Sequence, residues 1–212
     1  ILSETTKYLE AIVDTTKIPV VTTLMGKGAI PDSHELHLGM GGMHGSYASN
    51  KAISGCDLLI ALGARFDERL TSNADTFAPN AQIIHFEIDD VEIDKIIDID
   101  LGIKGDLRWS LPIFAKKLKE GAFDYGAAFA DWRHEVLAMK KSHPFATPPR
   151  PGCISPQSIF AAVRDITRND DTVAITDVGQ HQMWAAQFFT TDEPKHFISS
   201  GGLGTICLLY TS

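Results

Sequence analysis

The hydrophobic positions change period repeatedly along the chain, and each change marks an element. Residues 2–14 place Leu2, Leu9, Ile12 and Val13 on a helical period, with Ser3 or Thr6 able to cap the start. Residues 19–24 then run apolar and β-branched up to Gly26 and Gly28, which predicts a strand. A helix is predicted over residues 46–55, a strand over 57–62, a third strand over 81–88, and a weaker fourth over 97–103 that aspartates interrupt. Leu111, Phe114, Ala115 and Leu118 share one face of a helix over residues 107–118, and residues 120–140 carry a fainter helical pattern.

Strands alternating with helices predict an α/β fold on a parallel sheet. Residues 142–156 hold five of the ten prolines and predict an irregular linker. Beyond it, a helix over 156–167, a strand over 172–176 and a helix over 180–188 begin a second α/β unit.

Composition narrows the function classes. With 44% hydrophobic and 22% charged residues the chain is of globular type. Its longest apolar runs fall far short of eighteen residues, so no spanning helix and no membrane role are expected. No basic-then-apolar leader is visible at the start. A formal net charge of −8 argues against nucleic acid as a partner. Cys56, Cys153 and Cys207 are widely separated and form no CxxC pair, so buried structural thiols are expected rather than a zinc site or disulfide framework.

The candidate chemistry lies where strands end. In "LLIALGARFDER" five apolar residues run into a glycine turn, and four of the five positions after Ala64 are charged. Such a loop is either an ordinary solvated turn or a holder of something anionic. Other strand ends carry Thr23-Leu24-Met25-Gly26, then Glu87-Ile88-Asp89, then Gly105-Asp106, and a loop Gly39–Gly45 precedes the second helix. Glycines permit close backbone approach, arginines match phosphate oxygens in pairs, and an acid at a later strand end accepts ribose hydroxyls. The joint pattern is that of a dinucleotide site, although no GxGxxG follows the first strand.

His44 reads as a cofactor contact, a base or a packing residue, and no second ligand at metal spacing accompanies it. In the second unit, Thr176-Asp177-Val178-Gly179-Gln180-His181 takes a strand end into a helix start, whose amides and dipole suit a phosphate. Ser199–Thr205 is a further glycine-rich turn, and both segments are also readable as solvent loops.

The wording of these motifs is specific. "PVVTTLMGKGAIP", "LGMGGMHGSYASNKA", "DLLIALGARFDER", "IIHFEID", "TDVGQHQMWAAQFF" and "SSGGLGT" closely resemble the acetolactate synthase (acetohydroxyacid synthase) catalytic-subunit family over roughly residues 1–205. The resemblance implies an enzyme that uses thiamine diphosphate, Mg²⁺ and FAD. It decarboxylates pyruvate and joins the two-carbon unit to a second 2-ketoacid, pyruvate or 2-ketobutyrate, in branched-chain amino-acid (valine and isoleucine) biosynthesis.

It implies a Rossmann-like FAD-binding middle domain over residues 1–122, lacking its first strand, a helix and Pro-rich linker over 123–154, and the start of a diphosphate-binding domain over 155–212. By resemblance FAD lies against Leu24, Met43, His44, Gly63, Ala64, Arg65, Asp67, Arg69, Glu87, Ile88 and Asp106. Arg65 and Arg69 would face its pyrophosphate and adenosine part, and Asp67 would orient an arginine or ribose. Val178, Gly179, Gln180, His181 and Gly204 match positions near thiamine diphosphate.

The family's thiamine-activating glutamate and its Gly-Asp-Gly magnesium motif are not matched, and residues 206–212 depart from the family wording. The sequence is therefore read as a fragment, expected to lack carboligase activity by itself. In the full-length enzyme the resemblance implies a homodimer or tetramer with a small regulatory subunit, in a bacterial cytoplasm or an organelle stroma. Two alternatives stay open: a non-catalytic FAD or nucleotide-binding module, and another thiamine diphosphate carboligase such as glyoxylate carboligase.

Overall fold

The computed structural model describes residues 1–146, 151–167 and 170–201. Helix α1 (Thr6–Thr16) leads into strand β1 (Val20–Thr22), which pairs in parallel with β2 (His37–Met40). Helix α2 (Tyr47–Gly55) connects to β3 (Leu58–Leu62), after which a short helix α3 (Glu68–Thr71) precedes β4 (Gln82–Glu87) and β5 (Leu101–Lys104). Strands β3, β4 and β5 form a parallel sheet in that order. Helices α4 (Leu107–Glu120), α5 (Tyr125–Ala128) and α6 (Ala130–Ser142) follow. The remaining elements are α7 (Pro156–Ile166), β6 (Ala174–Thr176), α8 (Gln180–Phe188) and β7 (Phe197–Ser199), with β6 and β7 parallel. Every strand pair among the described residues is parallel, so the α/β class holds.

The described part of the Pro-rich stretch between α6 and α7 forms no helix or strand, as proline's fixed φ and missing N–H dictate. Several predicted boundaries move, each for a local reason. Helix α1 starts at Thr6, because Glu4 adopts φ 55° and the Ser3 hydroxyl donates to Asp106 instead of capping. The predicted strand over 97–103 shortens to Leu101–Lys104. Asp94 and Asp100 compete for the backbone there, accepting the amides of Ile99 and Ile83. The helix predicted over 120–140 divides at Phe129, where φ is −107°.

Strand β2 escaped the periodicity reading. Its sequence HLGM opens on a histidine and holds a glycine, yet it is buried almost throughout because His37 finds partners inside. The sequence pattern assigns no strand at β7 and only a charged loop at α3.

The core lies in four apolar clusters. Val13, Ile30 and Leu36 join α1 to the β1–β2 layer, and Leu38, Ala52 and Val136 pack α2 and α6 on its other elements. Ala61, Phe66, Ile83 and Ile97 fill one face of the β3–β4–β5 sheet. On its opposite face Phe86 packs against Phe114 of α4, with ring centroids 5.4 Å apart. Met40, Ala185, Ala186, Phe189 and Phe197 form the fourth cluster, which seats α8 against the β2 end. No helix among the described residues is long and apolar enough to cross a membrane.

Candidate functional site

Three parallel strands of matched register bring their C-terminal ends to one edge: Leu62 lies beside Phe86, and Glu87 beside Lys104. Ligands of parallel α/β sheets bind beyond that edge. The loops there are tied together by backbone bonds. The Gly63 amide donates to the Phe86 carbonyl at 2.8 Å, and the Gly105 amide donates to the Glu87 carbonyl at 2.8 Å. Gly63 holds φ 62°, a left-handed conformation that lets the chain turn sharply at the end of β3. A Cβ at Gly105 would meet nothing within 4 Å, so the backbone at the end of β5 is open.

The charged loop after β3 divides its labour. Asp67 Oδ1 accepts the amides of Arg69 and Leu70 and so caps α3. It thereby orients Arg69 through the backbone, not through the guanidinium. Arg65 and Arg69 are both exposed. Arg69 also meets the preceding loop: its Nη1 lies 3.5 Å from Met43 Sδ, and its carbonyl accepts the Met43 amide at 2.8 Å. Met43 and Arg69, 26 residues apart, are thus brought together.

Gly42 is the hinge of that contact. It holds φ 95°, and its N–H and carbonyl are both engaged by the Asn50 side chain, at 2.8 and 2.9 Å. A Cβ there would sit 2.4 Å from the Arg69 carbonyl oxygen. Gly42→Ala is accordingly expected to cost about 2 kcal/mol, combining the strained φ with displacement of α3. A urea midpoint unchanged from the unaltered chain would contradict that close approach.

Glu87 is buried, 7% exposed, and its Oε1 accepts the amides of Ile88 and Asp89, while Ile88 is 63% exposed. Asp106 caps α4 through Oδ1, accepting the Arg108 amide and the Ser3 hydroxyl, each at 2.8 Å. Those two bonds, the amide first, hold its carboxyl below the usual carboxylate range. His44 is exposed, and its carbonyl accepts Nε2 of Gln187 from α8. Leu24 is half-buried and packs into the cluster around Met40 and Phe197, away from the charged loop's own contacts.

The second group of candidates gathers at the start of α8. Gly179 precedes the helix with no side-chain cap, and the His181 ring folds back to within 3.0 Å of where a Gly179 Cβ would stand. Val178, Gln180 and His181 are exposed. Uncapped first-turn amides of this kind favour a negative ligand. Behind them Gln182, 3% exposed, donates to Ser199 Oγ, which also accepts the Thr176 hydroxyl. The place where a Gly201 Cβ would project lies 3.1 Å from Leu24 and 3.3 Å from Gln182, so Leu24 adjoins this second group. Gly204 lies outside the described residues, as does the tail over 206–212.

Sequence reasoning overlooked the polar residues that hold these loops from beneath. Asn50 clamps Gly42, and its signal was a short amide among the buried positions of α2. His85 underlies Ala64, and Asp32 with Lys27 and His37 lies between β1, β2 and the segment after α8.

Both groups lie in segments that match known protein families. Residues 1–113 match the thiamine pyrophosphate enzyme central domain, and residues 177–207 match the thiamine pyrophosphate enzyme C-terminal TPP binding domain. The chain belongs to the thiamine pyrophosphate enzyme family. The β3–β4–β5 edge falls within the central-domain match, and Val178, Gly179, Gln180 and His181 within the second. Among curated relatives of this family, the acetolactate synthase large subunit of Parasynechococcus marenigrum is 46% identical over 199 residues, 93% of this chain and 31% of the relative. Acetolactate synthase of Mycobacterium bovis is 42% identical over 97% of this chain and 33% of its own length. The large subunit of Lactococcus lactis is 42% identical over 92% of this chain and 33% of its own length. The chain spans about a third of the length of these relatives.

Proposed function

We propose that this chain is the flavin-facing and diphosphate-facing section of an acetolactate synthase catalytic subunit. The observation that carries the reading is the convergence of Gly63, Arg65, Arg69, Glu87 and Asp106 at one open edge of a parallel sheet. The naming of relatives at 42–46% identity supports it. The whole enzyme would decarboxylate pyruvate and join the two-carbon unit to pyruvate or 2-ketobutyrate, feeding valine and isoleucine synthesis.

The residues present fit FAD. Gly63 and Gly105 leave the backbone accessible, and two exposed guanidiniums flank the loop where a pyrophosphate would lie. Ile88 offers an apolar face beside them. Glu87 has one oxygen already committed to backbone amides, so a ribose hydroxyl would reach the other. In this reading FAD is structural, because carboligation is not a net redox reaction. The α8 start fits the diphosphate of thiamine diphosphate, with Gly179, Gln180 and His181 facing it. That cofactor, bound with Mg²⁺, supplies the electron sink for decarboxylation. This chain's own part is to orient it and to exclude water from one side.

The exposed apolar surface on α4, with Trp109 at 72% and Ile113 at 62%, agrees with assembly into a dimer or tetramer with a small regulatory subunit. In this reading the whole enzyme would work in a bacterial cytoplasm or an organelle stroma.

Titration of the chain with FAD, followed by quenching of flavin fluorescence beside a riboflavin control, tests the reading. Saturable binding of FAD without binding of riboflavin is expected, since the anionic half of FAD makes the arginine contacts. A chain folded by circular dichroism that leaves FAD fluorescence unchanged would overturn it.

A further inference from the structure

Beneath the charged loop lies a buried histidine that no cofactor contact requires. His85 sits on β4 with no solvent exposure, among Ala61, Phe66 and Ile83 of the apolar sheet face. The side chains on that face of β4 run Ile83, His85, Glu87, from apolar to charged as the strand approaches its open end. Ala61 is the register partner of His85 on β3, and its small side chain leaves room for the imidazole. The Phe66 ring stands edge-on to the imidazole at 4.9 Å. A leucine or phenylalanine would fill this position with no ring nitrogen of its own to bury unpaired. Instead Nδ1 is buried with no hydrogen-bond partner, which costs the desolvation of that atom.

The other ring nitrogen explains the choice. His85 Nε2 lies 3.1 Å from the Ala64 carbonyl oxygen and 3.7 Å from Glu87 Oε2. Both neighbours are acceptors, so the ring hydrogen belongs on Nε2 and is donated to Ala64. The opposite tautomer would set a lone pair against two oxygens and leave an N–H without an acceptor. Ala64 joins Gly63 to Arg65, so a fixed Ala64 carbonyl fixes the peptide plane from which Arg65 departs.

We propose that His85 is the positioning residue of this loop: its Nε2–H, donated to the Ala64 carbonyl, sets the orientation in which Ala64 and Arg65 face the pyrophosphate of a dinucleotide. The proposal rests on the flavin reading for its ligand, while the loop geometry stands on its own. His85 does not touch the ligand. Its role passes through one carbonyl, and the orphaned Nδ1 is the cost of holding that carbonyl from inside the sheet.

Two substitutions in the full chain test it. His85→Leu keeps the volume and removes the donor, whereas His85→Gln returns an amide N–H near the Nε2 position. FAD affinity is expected to fall about tenfold in the leucine variant and to stay within about threefold in the glutamine variant, one hydrogen bond's worth. Leucine binding FAD as the unaltered chain does, or both variants weakening alike, would overturn the proposal. Hydrogen exchange at the Arg65 and Phe66 amides gives a reading that needs no ligand: faster exchange in the leucine variant and restoration in the glutamine variant are expected. If the unaltered chain binds no FAD but exchange behaves this way, the flavin reading fails and the positioning role stands. Nitrogen NMR of the unaltered chain decides the matter even if His85→Leu does not fold, since a hydrogen found on Nδ1 excludes donation to Ala64.

Discussion

Replacing Asp32 with asparagine is expected to destabilise the chain by about 3–5 kcal/mol, because it strips the counter-charge from a buried lysine. Asp32 Oδ2 receives Lys27 Nζ at 2.5 Å and the Thr191 amide at 2.8 Å, and Oδ1 lies 3.2 Å from His37 Nδ1. The three side chains are 10%, 7% and 3% exposed, for Asp32, Lys27 and His37. With its hydrogen on Nδ1, His37 donates to Asp32 and accepts the Thr22 hydroxyl at Nε2. The Asp32 amide meanwhile donates to the Thr191 carbonyl, and the Ser33 amide to Asp192. One carboxylate thus joins the β1–β2 layer to the segment that follows α8, so the loss would also loosen the contact between the two candidate sites.

A urea unfolding series at neutral pH checks this through the shift in midpoint at constant slope. A loss under about 1 kcal/mol would mean that Lys27 finds water or another acceptor. The paired change Lys27→Met with Asp32→Leu should cost less than the single asparagine, because no charge is then left buried alone.

The same cluster sets an acid limit. Burial by itself would raise the Asp32 carboxyl, but the His37 hydrogen bond and then the charge and hydrogen bond of Lys27, with the Thr191 amide, outweigh it and hold it below the usual range. A carboxyl depressed in the folded state stabilises fully above its unfolded value, near pH 4, and loses that contribution as pH falls through the folded value. The difference between the parent chain and Asp32→Asn should therefore narrow below about pH 4.

The second large effect concerns affinity. Arg65→Ala with Arg69→Ala is expected to weaken FAD binding at least about a hundredfold, as charge-assisted bonds to a pyrophosphate contribute roughly 1.5–3 kcal/mol each. Both side chains are exposed, so unfolding free energy should change by no more than about 0.5 kcal/mol. Binding to the parent chain should weaken with added salt, and that dependence should flatten in the double variant. A double variant that binds FAD within about threefold of the parent would remove the pyrophosphate from this loop.

Much of the site is legible in the sequence. The run from Leu58 to Arg69 named its own strand, turn and charged loop, because strand burial and glycine turns are local properties. The helix start at Gly179 was legible for the same reason, as was the irregular course of the described part of the Pro-rich stretch. What stayed hidden was polar and buried. Strand β2 reads as a loop until Asp32 and Thr22 satisfy His37, and His85 reads as one residue of an apolar strand until Ala64 folds above it.

By itself, then, the sequence determined most of its helices and its more apolar strands, the family of its motifs and the residues that stand at strand ends, since periodicity, turn chemistry and motif wording act over a few neighbours. Only the tertiary structure decided how those ends are held. It joined Met43 to Arg69, turned Asp67 into a helix cap and set Asp32 across 159 residues against Thr191. The reason is physical: a polar group is tolerated inside only when a partner arrives there, and the partners here come from distant parts of the chain.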